Sequence, residues 1–470
     1  MSASRRYLAW LLGLLFVEVM SWWLFSQSPT IGTWGSPMGY GFLVLCSLAV
    51  LAAWRRPQWL AWATMIELVI GGKGYLFFLQ DGNIKISLRL AFFAILMLAW
   101  MIRLVRSRPW RLPRWAWPII ASLGWVMIMS AVGWWRGFGG SGVFTDMNGY
   151  LFAAIVFPWW YFVRRDSNWK HQVGVVVLTG ATIVGLKSWL MQVLFAQDAT
   201  WVPTLYKWIR QTGIGEITLI SKNVYRIFFQ SQIYTLLAFG IVMAGWMLGT
   251  VQRWWVWTWL SAALGVYLSL SRSFWLGGAV MFVAMVWLSV RFYGWVRLRR
   301  LVLFVPLGAF VWLMTTLALN FPYIIPPPGQ TGHADAIVAR LKSAGSRQAS
   351  TARANQIPPL MTAISHNPLT GQGFGATLTY TSTDPRIRGA RTTSAFELGY
   401  LDMVFHFGLI GLGFLGWWIW MIGRRLWQRQ AWVWLVPTLG LLVVHTTSPY
   451  LNHPLGLGWL ALMTLFAYDE

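Results

Sequence analysis

Acidic residues are the scarcest charged class in this sequence. Its 470 residues hold 13 Asp and Glu against 37 Lys and Arg, a formal net charge of +24. Charged residues of both signs make up 11% of the chain, where a soluble domain averages about 25%. Cysteine is nearly absent as well. The single Cys46 excludes an intrachain disulfide, lies in an apolar run and suggests no thiol chemistry. No group of His, Cys and Asp has metal-site spacing, so neither a metal nor a cofactor is expected. A soluble chain this basic would be read as a nucleic-acid binder. Long apolar runs forbid that reading here and turn it toward phosphate-bearing lipids or glycans.

What the sequence does have is hydrophobic surface. Apolar residues make up 57% of it, with 36 tryptophans, whose indoles prefer the headgroup level of a bilayer. A spanning helix needs about 20 mostly apolar residues. Fourteen stretches qualify: roughly 7–25, 37–54, 58–79, 86–105, 115–134, 149–163, 172–196, 226–248, 254–270, 274–290, 301–319, 397–422, 431–447 and 455–468. The expected fold is all-α, a polytopic transmembrane helical bundle of about 14 spans. The start, Met1 to Arg6 before an apolar run, has the look of a signal peptide. The run from Tyr7 to Phe25 is too long for one and lacks a small-residue cleavage site, so it reads as the first span.

Basic residues set the orientation. Arg5 and Arg6, Arg55 and Arg56, the run Arg103 to Arg114, Arg164 with Arg165 and Lys170, Arg253, Arg291 to Arg300, and Arg424 to Arg429 fall on alternate connections. Those connections, and both termini, are expected to be cytoplasmic. The remaining basic residues fall on external connections or within spans, among them Lys73, Lys85, Arg89, Arg136, Lys187, Lys207, Arg210, Lys222, Arg226, Arg272, Arg340, Lys342, Arg347, Arg353, Arg386, Arg388 and Arg391. Those at outer helix ends can snorkel. Lys73 and Lys187 look deeper, and a charge inside a span is costly enough to mark function by default.

Three regions follow: 1–319 with eleven spans and an interfacial external segment near 197–225, a large external loop at 320–396, and the last three spans at 397–470. In the first external segment Trp201, Leu205, Trp208 and Ile209 repeat at helical spacing, the pattern of a helix lying on the outer leaflet. The large loop opens with Pro326–Pro328, continues with an apolar stripe of Ala334, Ile337, Val338 and Leu341, and reads as helical again around Arg353 to Ile364. It then runs Asn367-Pro368-Leu369-Thr370-Gly371-Gln372-Gly373-Phe374-Gly375 and ends in a polar stretch with Arg386, Arg388 and Arg391. The glycines lack dinucleotide-binding spacing and a preceding strand. They suit a tight backbone path against the membrane domain or a ligand.

Three segments resemble the O-antigen ligase and Wzy-type polysaccharide polymerase superfamily of bacterial membrane glycosyltransferases. Ser271-Arg272-Ser273-Phe274-Trp275-Leu276 is similar to its SRxxW element. The segment Pro368 to Gly375 is similar to its P-L-x-G-x-G-x-G element. Glu397 to Leu401 with Phe407 to Leu412 resembles the element that opens the span after the large loop. Together they cover roughly 260–420; the N-terminal half adds hydropathy and Ile86-Ser87-Leu88-Arg89 at an outer helix start. Many members carry His-Asn where this chain has Phe396-Glu397, so Glu397 would have to replace a histidine base. The resemblance implies a GT-C-like bundle in the bacterial inner membrane with its active site on the periplasmic face. It also implies an undecaprenyl-diphosphate-linked glycan donor, a lipid-linked or lipid A core acceptor, membrane lipids around the protein, a chain-length regulator protein as a partner, and no nucleic acid.

In such a transfer the leaving group is a lipid diphosphate. Arginine suits it, because its fork binds phosphate oxygens bidentately and stays charged. Arg272 is the first candidate, with Arg89, Arg210, Arg226 and Arg353 as diphosphate-binding companions. Arg386, Arg388 and Arg391, with Tyr400, Gly371, Gly373 and Gly375, are candidate glycan or loop contacts. The attacking hydroxyl needs a base. Glu397, where the loop re-enters the membrane, is expected to be partly desolvated there and to share one outer cavity with Arg272. The other external or embedded acids are Glu18, Glu67, Asp81, Asp146, Asp198, Glu216, Asp335, Asp384 and Asp402. Asp402 and His406, spaced i and i+4, read as a structural hydrogen-bonding pair between helices. Fourteen spans favour a polymerase over a ligase. A lipid-linked oligosaccharide flippase is the rival from another class, but no internal repeat is evident.

Overall fold

The computed structural model describes residues 3–28, 32–82, 84–106, 112–197, 200–221, 224–252, 255–320, 347–383 and 388–469. Arg386, Lys222, Arg253, Asp198, Asp384 and the whole of 321–346, with its triple proline, apolar stripe, Asp335, Arg340 and Lys342, lie outside the described residues. The chain divides into two compact units. Unit 1 comprises Met1–Arg108 with Pro158–Ile337, and unit 2 comprises Pro109–Phe157 with Val338–Glu470.

Unit 1 contains helices α1 (Ala3–Ser26), α2 (Pro37–Arg55), α3 (Pro57–Ile70) and α4 (Leu88–Arg106). Helices α5 (Ala116–Trp135) and α6 (Gly140–Leu151) belong to unit 2, and the chain passes back to unit 1 within α7 (Val156–Phe162). Then follow α8 (Trp169–Ala196), α9 (Val202–Gln211), α10 (Ile233–Leu248), α11 (Trp255–Leu268), α12 (Arg272–Leu288), α13 (Trp295–Leu301) and α14 (Phe304–Asn320). Unit 2 closes with α15 (Arg347–His366), α16 (Gly399–Gln428), α17 (Trp432–His445) and α18 (Pro454–Ala467).

Local chemistry sets many of these ends. Ser36 caps α2 by accepting the Gly39 N–H at 3.0 Å, with Pro37 in the first turn, where its missing N–H costs nothing. Gly249 ends α10 in the left-handed conformation at φ 76°. Nine helices among the described residues are long and apolar enough to cross a membrane, and α11, α17 and α18 are shorter apolar helices. The chain is therefore a multi-pass helical membrane protein, and the fourteen expected spans are not all present as single long helices. The stretch 149–163 is broken into α6, a 3-10 turn at Phe152–Ile155 and α7. The stretch 58–79 stops as a helix at Ile70.

In unit 1, α8 and α10 form the centre, with 78% and 83% of their apolar windows buried against 22% for α1 and α2. A helix that is apolar all round belongs inside. The outer helices instead expose Leu8, Leu12, Phe16 and Val19 on α1 and Tyr40, Val44 and Leu48 on α2, rows that lipid tails can cover.

Three antiparallel hairpins depart from the all-α expectation. They are β1 (Phe78–Asp81) with β2 (Ile84–Ser87), β3 (Gly215–Ser221) with β4 (Val224–Phe229), and β5 (Leu378–Ser382) with β6 (Gly389–Thr393). The segment 197–225, expected to hold an interfacial helix, contains a short helix. It is α9, which buries Leu205, Trp208 and Ile209 and exposes Trp201, and a hairpin follows it.

Candidate functional site

In unit 2 the glycine-rich segment and the span after the large loop form one structure. Helix α16 breaks at Gly408, whose φ of 68° and ψ of −176° are open essentially only to glycine. A broken helix leaves orphan carbonyls and N–H groups. The loop supplies partners for them. Gln372 and Gly373 donate backbone N–H groups to the carbonyls of Phe405 and His406, at 2.7 and 2.9 Å. Leu409 and Ile410 donate to the carbonyls of Pro368 and Leu369, at 2.9 and 3.1 Å, and the Trp125 indole donates to the Phe407 carbonyl at 2.7 Å. Gly371, Gly373 and Gly375 all have positive φ and press against backbone: Gly371 on His406 and Gly408, Gly373 on Gly133, Gly375 on Val143. Their place is a tight backbone seam, the first of the two settings expected for them. Arg136 fastens the seam by donating to the Gln372 carbonyl at 2.9 Å.

Beside this seam lies a buried polar cluster. Asp146 of α6 accepts the Gly375 N–H at 2.9 Å with one oxygen and the Ser394 hydroxyl at 3.3 Å with the other. Asp402 of α16 accepts the Phe396 N–H at 3.0 Å and the side-chain amide of Asn452. His406 sits between the two acids. Its Nδ1 is 3.0 Å from the Asp402 carbonyl, its Nε2 is 3.5 Å from Asp146 Oδ2, and its ring stacks on Phe374. Asp402 thus makes a structural hydrogen bond outside its own helix, to Asn452 in the turn at Tyr450–Asn452. The two acids do more than pair with histidine: they hold Gly375, Ser394 and Phe396, the beginning and end of the segment that leads to Glu397. The Tyr150 hydroxyl is buried next to this cluster with no hydrogen-bond partner among the described residues.

Glu397 itself departs from expectation. Its side chain is 63% exposed and forms an ion pair with Arg353 Nε at 2.7 Å. The partial burial expected at a membrane re-entry point is not seen. Arg388 and Arg391 are exposed near and on β6, and the Tyr400 hydroxyl donates to the Leu442 carbonyl at 3.0 Å instead of facing solvent for a sugar.

In unit 1 two of the acids noted in the sequence are buried beside cations. Arg89 clasps Glu67 with two bonds of 2.7 and 3.1 Å, both side chains 5% exposed. Arg89 is therefore neutralised, not the free cation expected for a diphosphate. Lys187 meets Glu18 at 2.5 Å in the same way, with its ammonium 4.5 Å from the centre of the Phe229 ring. Lys73, expected to lie deep, is exposed, as is Arg210. Lys85 donates to the Gln211 carbonyl at 2.7 Å and lies over Tyr75 and Phe78; burial pushes its ammonium down to about 8.

Arg272 occupies a different setting. It is half-buried at the first turn of α12, just after Leu270, a non-glycine residue held at φ 47°. That strain of about 1–2 kcal/mol is sustained by the turn's own bonds. The Ser271 N–H donates to the Ser269 hydroxyl at 3.1 Å, and the Ser271 and Ser273 hydroxyls lie 2.9 Å apart. Arg226 of β4 reaches the same turn and donates to the Ser269 carbonyl at 3.3 Å, while its neighbour Phe228 packs edge-on against Phe274. Arg272 has no carboxylate partner among the described residues. Two expected companions, Arg272 and Arg226, thus meet at one turn. Glu397 belongs to the other unit. Asp146 was noted in the sequence only as an acid before a span; its flanks, Thr145 and Asn148, are polar and gave no sign of its bonds to Gly375 and Ser394. No family model, characterised protein or solved structure matches the chain.

Proposed function

We propose that the chain is a membrane glycosyltransferase that moves glycan from a polyprenyl-diphosphate donor to an acceptor hydroxyl, polymerising polysaccharide repeat units at the outer face of a bacterial inner membrane. The observation that carries the reading is the Ser269–Ser273 turn, where Arg272 has no carboxylate partner among the described residues and Arg226 is tied to the turn's backbone. The leaving diphosphate gains negative charge as the glycosidic carbon departs. A guanidinium tied to the turn, as that of Arg226 is, stabilises that charge without reorganising, and Arg272 beside it is available to the diphosphate.

Glu397 is assigned the proton of the attacking hydroxyl. Its pairing with Arg353 orients it, and Asp402 fixes the residue before it. Asp402, Asp146 and His406 are positioning residues in this scheme. Donor and product are both lipid-linked in a polymerase, which suits a protein embedded through most of its length.

The test uses the full chain in proteoliposomes with a lipid-linked single repeat. Wild type is expected to form a ladder of products. Arg272→Ala should lower the rate by about 100-fold or more, the usual cost of deleting a charge-stabilising donor. Ladder formation at the wild-type rate by both Arg272→Ala and Glu397→Gln would overturn the assignment. Transfer to a core lipid without a ladder would make the protein a ligase.

A further inference from the structure

Unit 1 holds a second feature that glycan transfer does not use. A cavity of about 700 Å³ opens where the starts of α3 and α8 and the end of α7 come together beside Trp10 of α1. Trp10, Trp59 and Trp62 form its apolar walls, and Gln58, Arg165 and Asp166 supply its polar groups. We infer that this cavity binds an anionic glycerophospholipid of the surrounding bilayer, with the phosphate at Arg165 and an acyl chain along the tryptophans.

Charge complementarity points to this occupant. The arginines at this end of unit 1 rest on aromatic faces: Arg56 over Trp59 at 5.1 Å, Arg103 over Phe162 at 5.4 Å and Arg165 over Tyr161 at 4.5 Å. A guanidinium held by a ring face stays oriented, and its N–H fork remains available for phosphate. Arg165 is exposed and has no carboxylate partner among the described residues. Asp166 forms no ion pair with it. Its two oxygens accept the Asn168 N–H at 2.9 Å and the Gln172 amide at 2.7 Å, fastening the start of α8. Those bonds leave lone pairs on Asp166, which with Gln58 can meet a headgroup hydroxyl. A phosphate with a hydroxylated headgroup on one side and hydrocarbon on the other fits both walls. Indole likewise favours the bilayer depth where those parts of a lipid meet.

Native mass spectrometry of the full chain in mild detergent provides the test, with phosphatidylglycerol and phosphatidylcholine of matched acyl chains as probes. Wild type should retain phosphatidylglycerol about fivefold better, the preference one basic residue gives at an anionic surface. Arg165→Gln should erase the preference. Trp62→Ala should weaken retention of both lipids. Arg297→Gln removes an arginine that also rests on a ring, that of Tyr293 at 4.2 Å, but lies away from the cavity lining; it should leave the preference intact. Equal retention of the two lipids by wild type, or equal loss in Arg297→Gln, would overturn the inference. So would displacement of phosphatidylglycerol by inorganic phosphate, which would make this a site for a free anion. Displacement by sugar-free polyprenyl diphosphate at equal concentration would assign the cavity to the donor lipid instead.

Discussion

The two units treat buried acids differently. In unit 1 each buried glutamate faces one cation, Glu18 with Lys187 and Glu67 with Arg89. In unit 2, Asp146 and Asp402 accept backbone N–H groups and neutral side chains, with His406 between them. The first arrangement cancels charge inside a helical packing that already has its backbone bonds. The second uses charge to hold irregular backbone, at Gly375, Ser394 and Phe396, where no helix does so. Unit 1's pairs are thus replaceable by hydrocarbon in principle, whereas unit 2's acids have no apolar equivalent.

Breaking a unit 1 pair should have the largest effect. Lys187→Met strands Glu18 and should cost about 3–5 kcal/mol of stability, while Glu18→Gln combined with Lys187→Met should recover most of the loss. Thermal unfolding in detergent reads both, and a double variant no better than the single would end the contrast. Next is the seam of unit 2. A Cβ at Gly408 would fall 2.1 Å from the Leu369 carbonyl oxygen, so Gly408→Ala should cost on the order of 3 kcal/mol. Limited proteolysis of the 367–375 segment should accelerate with it.

Asp402→Asn keeps the shape but removes the charge that holds Phe396 and Asn452, a loss of about 1.5–3 kcal/mol. Glycan transfer should fall more than folded protein does, since Phe396 precedes Glu397; parallel losses would reduce Asp402 to a structural role. Arg353→Ala should change stability by only about 0–1 kcal/mol, the usual worth of an exposed pair, and still suppress transfer. The smallest effect is a titration. Lys85, methylated with carbon-13 and followed by NMR, should have its midpoint near 8, because burial favours its neutral form. A midpoint at the usual lysine value of about 10.4 would place its ammonium in water.

The long apolar helices were plain in the sequence because about 20 apolar residues in a row have few other uses. Lys187 was legible as a deep charge for the same reason. Lys73 was not, because the helix before it ends at Ile70 and a glycine-rich turn at 71–74 leaves its side chain exposed. The β3–β4 hairpin was missed although burial alternates along each strand, at Gly215 and Ile217 on β3 and at Ile227 and Phe229 on β4; strands this short are swallowed by neighbouring apolar runs. The pairing of residues 368–373 with residues 405–410 could not be read at all. It is made by backbone groups, which every residue carries, and only the glycines hinted that two stretches of main chain come close. Glu397 was found by its place in a motif, but its partner Arg353 lies 44 residues away and no local spacing links them.

The break at Gly408 also bears on how the protein is made. A helix with a gap in its ladder would enter hydrocarbon with bare amides unless their partners were at hand. Those partners, residues 368–373, come earlier in the chain than the helix they complete. Every donor and acceptor needed at the gap has therefore been synthesised before α16 begins to form. A permuted chain with the same contacts but the opposite order would have to insert its broken helix unfinished.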